Sequence, residues 1–360
     1  MRAAVCREFG AALEIEEVTL ADPGPGEVEV KLAATAICQS DISYAAGAWG
    51  GSLPAVYGHE AAGIVSRVGS GVSSVSPGDP VVVTLIRSCG HCHGCLAGQP
   101  VTCGATFPLD ELSPLSDAGG RPIAHGMRTA AFAEYALVES SQLVRIPSDL
   151  PLDVASLLAC GVITGYGAVT NTARVVPGSH VAVIGCGGVG LNSVQAARHA
   201  GAETVIAIDV ADAKLTAAAT FGATHAINPT SDDVAAGVRA LTGGRGADYV
   251  FVTVGAKAAI DGSYSLLAAG GAVVIVGMPA GGVRCEIDPS ELASKSQRIL
   301  GSKMGSTRIE VDIPNLIALY RDGRLKLDEL ISGRFELQQI NEAIASVKAG
   351  EALRNVIVFP

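Results

Sequence analysis

Four cysteines between residues 89 and 103 are spaced as ligands of one metal ion, in the pattern C-x2-C-x2-C-x7-C. They are Cys89, Cys92, Cys95 and Cys103. Four thiolates on one glycine-rich loop predict a closed, tetrahedral structural zinc site, here called the cysteine lobe (residues 88–104). A bacterial-type iron–sulfur run would place three residues and a proline around its last cysteine, and this sequence does not. Because four thiolates fill the shell, His91 and His93 are predicted to be exposed loop residues.

A second set of metal-binding residue types is scattered along the chain. Cys38 lies in ICQSD, His59 in YGHEAAG, and Cys160 follows LLA. Two thiolates and an imidazole would balance the charge of a zinc ion and leave a fourth position open, as catalysis requires. Asp41 is a natural acceptor for the second ring nitrogen of His59. Glu60 has two interpretations of equal weight, an exchanging metal ligand or a structural ion pair.

A glycine-rich turn follows the apolar run 181–184 and precedes a helical pattern. Its residues are Gly185, Cys186, Gly187, Gly188, Val189 and Gly190. This G-x-G-x-x-G sequence lies 19 residues before Asp209, the context of a dinucleotide site. The helix N-terminus would face the pyrophosphate. Asp209 would accept hydrogen bonds from the ribose hydroxyls and repel a 2′-phosphate, which favours NAD over NADP. Lys214 is either a further ribose contact or a solvated helix residue.

The elements that must position these residues change in character near residue 160. Before it, short strands punctuated by glycine and proline predict a small β-rich domain. After it, apolar strands alternate with helical patterns, which predicts six parallel strands in a doubly wound sheet. The early strands are predicted at 3–7, 13–17, 27–36, 63–68 and 80–85. The later strands are predicted at 181–185, 204–209, 225–228, 249–254, 272–277 and 298–303. Helices are predicted at 188–200, 212–221, 232–242, 257–268, 312–322 and 338–348, and a last strand, 355–359, is expected to return to the first domain.

Composition sets the class of ligand. The 360 residues suffice for two domains, and 49% of them are hydrophobic. A formal charge of −10 without a basic block argues against nucleic acid or an anionic membrane as partner. No apolar run is long enough to span a bilayer and no leader precedes the first strand, so a cytoplasmic protein is expected. In a reducing cytosol the nine cysteines favour metal binding over disulfides.

The motifs together resemble the zinc-dependent medium-chain alcohol dehydrogenase family, for which this catalytic zinc donor set is known. The resemblance runs from the first strands to the terminal ALRNVIVF and includes CGVITGYGA and GCGGVG in the family order. It implies an α/β chain with a GroES-like catalytic domain (residues 1–160 and 306–360) and a Rossmann coenzyme domain (161–305). The active site would lie in the cleft between them. Two zinc ions per chain are implied, one catalytic and one structural.

The resemblance also implies roles for single residues. Cys38, His59 and Cys160 would hold catalytic zinc. Ser40 would pass the alcohol proton towards the nicotinamide ribose as hydride moves to NAD. Three further residues would contact coenzyme, and they are Thr164 and Val189 behind the nicotinamide ring and Arg354 at the pyrophosphate.

Departures from the family pattern shape the expected chemistry. Position 43 is serine where many relatives extend the proton relay with histidine or tyrosine, so the last proton step is expected to use water. Gln39 replaces a basic phosphate contact of several relatives. Glutathione-dependent relatives carry an acid and an arginine where this chain has Trp49 and Phe107, which argues against that activity. With Leu85, these two would line an apolar pocket for a bulky or aryl primary alcohol, although core packing explains Leu85 and Phe107 equally well.

The leading hypothesis is a reversible NAD-dependent zinc alcohol dehydrogenase, acting between an alcohol and its aldehyde or ketone. One alternative is a nicotinoprotein that never releases NAD(H), and a more distant one is a non-catalytic binding protein on the same scaffold. Gly161, Gly165 and Gly167 form a candidate hinge, or serve only for tight packing. The sixth strand of the sheet is expected to pair with its symmetry mate in a homodimer.

Overall fold

The computed structural model describes residues 1–360, which form a terminal unit (residues 1–160 and 308–360) and a central unit (residues 161–307). The expected division was 160/161 and 305/306, so the second boundary lies two residues later.

The strands are β1 (Arg2–Cys6), β2 (Glu14–Glu17), β3 (Thr19–Leu20), β4 (Glu27–Ala36), β5 (Ala55–Val56), β6 (Ala61–Val68), β7 (Pro80–Val83), β8 (Leu115–Ser116), β9 (Pro122–His125), β10 (Tyr135–Glu139), β11 (Leu143–Arg145), β12 (His180–Ile184), β13 (Thr204–Ile208), β14 (His225–Ile227), β15 (Ala247–Val252), β16 (Leu267–Ile275), β17 (Arg298–Gly301), β18 (Ile331–Phe335) and β19 (Arg354–Val358).

Most of the α-helices are short, and several contain a single turn. They are α1 (Gln39–Ala45), α2 (His93–Leu96), α3 (Pro108–Glu111), α4 (Leu152–Ser156), α5 (Gly161–Gly167), α6 (Gly188–His199), α7 (Asp212–Thr220), α8 (Val234–Leu241), α9 (Lys257–Ser263), α10 (Pro289–Ser294), α11 (Ile309–Arg321) and α12 (Ile340–Lys348).

The terminal unit is built on two sheets. One has the order β2-β1-β5-β9-β8-β3, and the other the order β11-β7-β6-β4-β19-β18 with β10 also paired to β4. The long strand β4 organises the second sheet, since it pairs with β6, β10 and β19. Alternation of buried apolar side chains along these strands fills two cores. The last strand of the chain thus returns beside the first strands, and the GroES-like fold is confirmed.

The central unit contains a six-stranded parallel sheet in the order β14-β13-β12-β15-β16-β17. The Rossmann prediction is therefore confirmed. Its middle strands are continuous apolar runs because helices cover both faces of a parallel sheet, and all five residues of β13 are buried. In such sheets ligands bind at the carboxyl ends of the strands. That edge carries the glycine-rich turn after β12 and Asp209 after β13.

Among the elements predicted from the sequence, the bounds of α9 and β16 differ most from the observed ones. Helix α9 ends at Ser263, a short 3-10 turn follows, and β16 begins at Leu267, five residues before the predicted start. Two glycines, Gly270 and Gly271, lie within this strand and mask the period-2 pattern that marks strands in sequence.

The segment TGYGA, which contains two glycines of the candidate hinge, is helical and largely buried. It belongs to α5, and a π-helical turn continues to residue 173. A side chain at Gly165 would lie 2.1 Å from the Val189 carbonyl oxygen, and one at Gly167 would lie 2.4 Å from that of Gly305. Close backbone approach accounts for these two glycines without a hinge.

No single helix is long and apolar enough to cross a membrane. The consecutive helical segments 152–159 and 161–173 pass that test only as a bent pair, by length and composition.

Candidate metal centres and coenzyme site

Four potential metal ligands converge in the interior of the terminal unit. The ligand atoms of Cys38, His59, Glu60 and Cys160 all lie within 4.8 Å of one another, and all four residues are buried. We call this group the buried centre. Its members come from three distant parts of the chain: the end of β4, the start of β6 and the residue before α5. The structure thus brings together every residue that sequence analysis assigned to catalytic zinc.

Asp41 joins the two arms that carry Cys38 and His59. One carboxylate oxygen accepts the Cys38 backbone N–H at 2.9 Å, which caps helix α1. The other oxygen accepts the Gly58 N–H at 3.0 Å and lies 2.8 Å from Nδ1 of His59. Asp41 therefore holds the imidazole with its Nε2 directed away from the carboxylate. That Nε2 atom is buried and has no hydrogen-bond partner of good geometry, as expected of a nitrogen reserved for a metal ion.

Electrostatics of the buried centre favour a positive charge among the ligands. A hydrogen bond with Cys160 lowers the pKa of the Cys38 thiol well below its usual value, against burial and with the help of His59. The same hydrogen bond raises the pKa of Cys160. Burial opposes protonation of His59, yet the adjacent Asp41 carboxylate and Cys38 raise its pKa. The two directions favour a thiolate at Cys38 over one at Cys160, and a cation would stabilise both.

Glu60 forms an ion pair in addition to its place among the potential metal ligands. Its carboxylate forms an ion pair with Arg354, and both side chains are almost fully buried. Burial raises the pKa of Glu60 to about 7, and the Arg354 charge opposes that rise. The ion-pair interpretation of Glu60 matches this contact, while its distance to the other ligand atoms keeps the exchanging-ligand interpretation open. The expected contact of Arg354 with a pyrophosphate stays a prediction.

The residues of the buried centre fit zinc. Two sulfur donors and one imidazole nitrogen suit this ion better than magnesium or calcium, which prefer oxygen ligands. The orphan nitrogen of His59 and the low pKa of Cys38 point to the same occupant.

The cysteine lobe forms the second candidate metal centre, in the same unit. The four sulfur atoms lie within 4.8 Å of one another, and the four residues are half-buried. Backbone N–H groups point at the sulfurs, that of Cys89 at Cys103 over 3.4 Å and that of Cys92 at Cys89 over 3.3 Å. Backbone hydrogen bonds lower the pKa of Cys92 to about 6. Burial, by contrast, raises the pKa of Cys95 to about 11. Four sulfurs gathered by one loop fit a closed zinc site.

His91 and His93 are exposed, as the sequence prediction has them. The Nδ1 atom of His91 lies 2.8 Å from the Cys89 carbonyl oxygen, so it meets the loop backbone.

The glycine-rich turn of the central unit has room for a ligand. Gly185 has a φ of 95°, a region that favours glycine, and a side chain at Gly190 would lie 1.7 Å from the Gly185 carbonyl oxygen. A side chain at Gly187 would meet nothing within 4 Å. Gly187 also precedes helix α6, so open space adjoins backbone N–H groups at a helix N-terminus. This arrangement fits the pyrophosphate of a dinucleotide.

Asp209 is tied to that turn through its carboxylate. Its oxygens accept the backbone N–H groups of Cys186 at 2.7 Å and of Ala211 at 2.9 Å. Lys214, half-buried on α7, is near enough to influence the pKa of the Cys186 thiol. These contacts set the position of the acid next to the turn.

Thr164 and Val189, expected behind the nicotinamide ring, lie on the packed helices α5 and α6. Thr164 is buried and its hydroxyl lies 3.7 Å from the Met304 sulfur. Helix packing therefore positions both residues within the central unit.

Ser40 lies beside the buried centre, with its Oγ 3.7 Å from Sγ of Cys38. Gln39 is exposed and Ser43 is half-buried. Ser40 is thus the nearest of these three polar side chains to a ligand of the buried centre.

The three predicted pocket residues are half-buried, which suits a wall more than a core. Trp49 packs edge-on against Tyr44 at 4.9 Å between ring centroids. Tyr44 in turn stacks on Tyr57 at 6.0 Å, and Tyr57 lies two residues before His59. Leu85 lies between buried neighbours at the end of β7, and the Phe107 ring lies under the Arg87 guanidinium. Sequence analysis missed Tyr44 and Arg87, although an arginine within the apolar stretch VVVTLIR was a signal.

Two family models match the chain. The model described as alcohol dehydrogenase GroES-like domain matches residues 24–148, and the model described as zinc-binding dehydrogenase matches residues 188–321. Together they cover most of both units.

Individual relatives are similar over the whole length. The chain is 35% identical over 374 residues to alcohol dehydrogenase class-3 of Cereibacter sphaeroides, with 99% of each chain covered. It is 36% identical to an NDMA-dependent alcohol dehydrogenase of Amycolatopsis methanolica, with 99% of this chain and 98% of that protein covered. Among solved structures it is similar to benzyl alcohol dehydrogenase from Acinetobacter calcoaceticus, with a TM-score of 0.93, 31% identity, and 100% and 99% of the two chains covered.

Proposed function

The chain belongs to the zinc-dependent medium-chain alcohol dehydrogenase family, and on that premise we propose that it converts apolar, aryl primary alcohols reversibly to aldehydes with NAD. The observation that carries the proposal is the convergence of Cys38, His59, Glu60 and Cys160 in a chain that also holds a dinucleotide turn. One unit supplies ligands for a catalytic metal, and the other supplies a coenzyme cradle.

A zinc ion held by Cys38, His59 and Cys160 would polarise the alcohol oxygen and ease loss of its proton near neutral pH, while NAD would accept the hydride. Asp41 keeps the His59 ring in the orientation that this binding needs. The Ser40 hydroxyl, 3.7 Å from Sγ of Cys38, would accept the alcohol proton while it donates its own towards the nicotinamide ribose. Because position 43 is serine, the proton leaves through water. A second zinc ion, held by the four cysteines of the lobe, gives two per chain.

Asp209 supports the choice of NAD. Its carboxylate is fixed by two backbone N–H groups next to the glycine-rich turn, so its charge cannot move away from an incoming 2′-phosphate. We expect Asp209→Gly to raise the ratio of kcat/KM for NADP to that for NAD by about ten-fold or more, since a like-charge repulsion is removed. Steady-state kinetics with both coenzymes measure the ratio, and an unchanged ratio would count against the role of Asp209. Asp212→Asn is a control on the same side of the sheet.

An aryl substrate is supported by the aromatic stack of Trp49, Tyr44 and Tyr57, which ends two residues before His59. A structurally similar protein is a benzyl alcohol dehydrogenase. Flat aromatic walls favour flat ligands through offset and edge-on ring contacts. Trp49 and Phe107 carry no charge, and so the charged adduct of glutathione is not proposed as substrate.

A screen of the purified enzyme tests this function. Aryl, terpenoid and aliphatic alcohols are offered with NAD or NADP, and kcat/KM is expected to be highest for aryl primary alcohols with NAD. A preference for short aliphatic or charged alcohols would refute the substrate class. If added NAD changes nothing and nicotinamide absorbance co-elutes with the protein in gel filtration, the enzyme is a nicotinoprotein.

We also propose a homodimer, and the open edge of the central sheet supports it. Strand β17 is the last in the order, and its backbone pairs only with β16 on one side. Its residues are exposed or half-buried, including the apolar Ile299. Two-fold pairing of β17 with its mate would cover this edge. Sedimentation analysis should give twice the chain mass, and a monomer would refute the pairing.

A further inference from the structure

Arg87 is a fully buried arginine that none of the proposed catalytic steps uses. Its guanidinium reaches three acceptors: Asp110 Oδ1 at 2.7 Å, Gln142 Oε1 at 2.8 Å and the Arg128 carbonyl oxygen at 3.3 Å. The Phe107 ring covers one face, 5.6 Å from the guanidinium carbon. A buried cation is costly unless its hydrogen bonds are made, so this set of partners defines the position of the side chain closely.

The Arg128 carbonyl belongs to a strained turn. Met127, Arg128 and Ala130 have φ values of 52°, 61° and 51°, and none of them is glycine. Such residues persist only where the surroundings hold them. Here the surroundings are Arg87 and the Gln142 side-chain amide, which donates to the same carbonyl at 3.0 Å. Arg87 and Gln142 thus hold the turn at residues 127–130 through hydrogen bonds to its Arg128 carbonyl oxygen.

This turn is bonded directly to the arm that ends in His59. The Ala131 N–H donates to the Gly58 carbonyl at 2.9 Å, and the Phe132 N–H donates to the Tyr57 carbonyl at 2.8 Å. The side chain of Met127 packs against the same apolar cluster as Tyr44. A shift of the turn would therefore move a neighbour of the aromatic stack as well as the His59 arm.

We propose that Arg87 is a positioning residue that sets the alcohol pocket, because it holds the 127–130 turn and the Phe107 ring together. This inference rests on the proposed function. Asp110 also belongs to this network. Its carboxylate lies 2.7 Å from Arg87 and 3.5 Å from Arg128, so it forms ion pairs with both arginines. Asp110 thereby holds the side chain of Arg128 close to that of Arg87.

Arg87→Met tests the proposal on the intact zinc-loaded enzyme. After the change Asp110 still pairs with Arg128 and Gln142 Oε1 still accepts the Glu139 N–H, while the buried Glu139 carboxylate loses a nearby positive charge. We expect KM for benzyl alcohol to rise about ten-fold through loss of charge-assisted hydrogen bonds, with kcat within about three-fold and KM for NAD unchanged. Amide exchange of the peptide spanning residues 126–133 should quicken by about ten-fold, while peptides of the central unit keep their rates.

The controls separate positioning from general damage. Arg121→Met removes an exposed arginine of the same unit and should change neither measurement. Arg87→Lys keeps the charge but loses the planar set of guanidinium donors. Its KM for benzyl alcohol and its amide exchange rate should lie between those of Arg87→Met and the wild type. If Arg87→Met does not fold, Asp110→Asn is the milder variant, and it should raise KM for benzyl alcohol by about three-fold.

The proposal would be overturned if Arg87→Met changed neither the KM for alcohol nor the amide exchange rates. It would also be overturned if kcat, the affinities for alcohol and NAD, and thermal stability all worsened to the same extent. A wild-type enzyme that oxidises no alcohol would instead refute the proposed function, and the exchange rates would still decide whether Arg87 holds the turn.

Discussion

The two candidate metal centres of the terminal unit show opposite ways of building a site. The cysteine lobe takes all four ligands from one short loop, is half-buried, and stabilises its sulfurs with backbone N–H groups. The buried centre takes ligands from positions 38, 59, 60 and 160, is shielded from solvent, and is surrounded by Asp41 and Arg354. A closed shell of like donors suits structure, whereas a mixed donor set held by charged partners suits chemistry.

Removing a ligand of the buried centre gives the largest expected effect. Cys38→Ser should lower kcat/KM for alcohol by about a thousand-fold or more, because the metal supplies several kcal/mol of polarisation. Metal analysis should find the zinc content reduced from two ions per chain to one, with thermal stability little changed. Cys6→Ser is the matched control, another buried cysteine outside both centres. Full activity in Cys38→Ser would remove this residue from the catalytic set.

Removing the support of His59 should give an intermediate effect that is confined to the buried centre. We expect Asp41→Asn to weaken zinc binding there by about 10–100-fold, since the imidazole loses its orienting carboxylate. Competition with a chromophoric chelator measures the release of each zinc ion. In the variant, only the ion of the buried centre should be released at a lower chelator concentration than in the wild type. Asp79→Asn, a surface change in the same unit, serves as control. Equal weakening of both ions would show that the two centres are not independent.

Removing a ligand of the cysteine lobe should act mainly on stability. Cys103→Ser should cost one zinc ion per chain and lower Tm by about 5–10 °C, because a structural zinc contributes directly to folding. The kcat of the remaining folded enzyme should fall by less than about ten-fold, since no lobe residue touches the reacting atoms. His93→Ala should retain both ions. A loss of activity as large as that of Cys38→Ser would break the distinction between the two centres.

Much of this architecture could be predicted from the chain. The parallel sheet was predictable from alternating apolar strands and helices, and the coenzyme turn from glycines followed by Asp209. The segment from Gly161 to Ala173 was harder, because glycines that are present for close packing look in sequence like glycines of a turn. The start of β16 was hidden for a related reason: glycine contributes no side chain to the period-2 pattern.

What the sequence by itself determined is local: the cysteine lobe, whose ligands a loop of 15 residues must bring together, and the turn at Gly185–Gly190, whose function lies in its own backbone. Only the tertiary structure decided that Arg354 is the partner of Glu60, and that Arg87, Asp110 and Gln142 form a network at the strained turn. The physical reason is that burial of a charged group is tolerated only with its partners in place. Those partners come from segments far apart in the chain, so no spacing in the sequence records them.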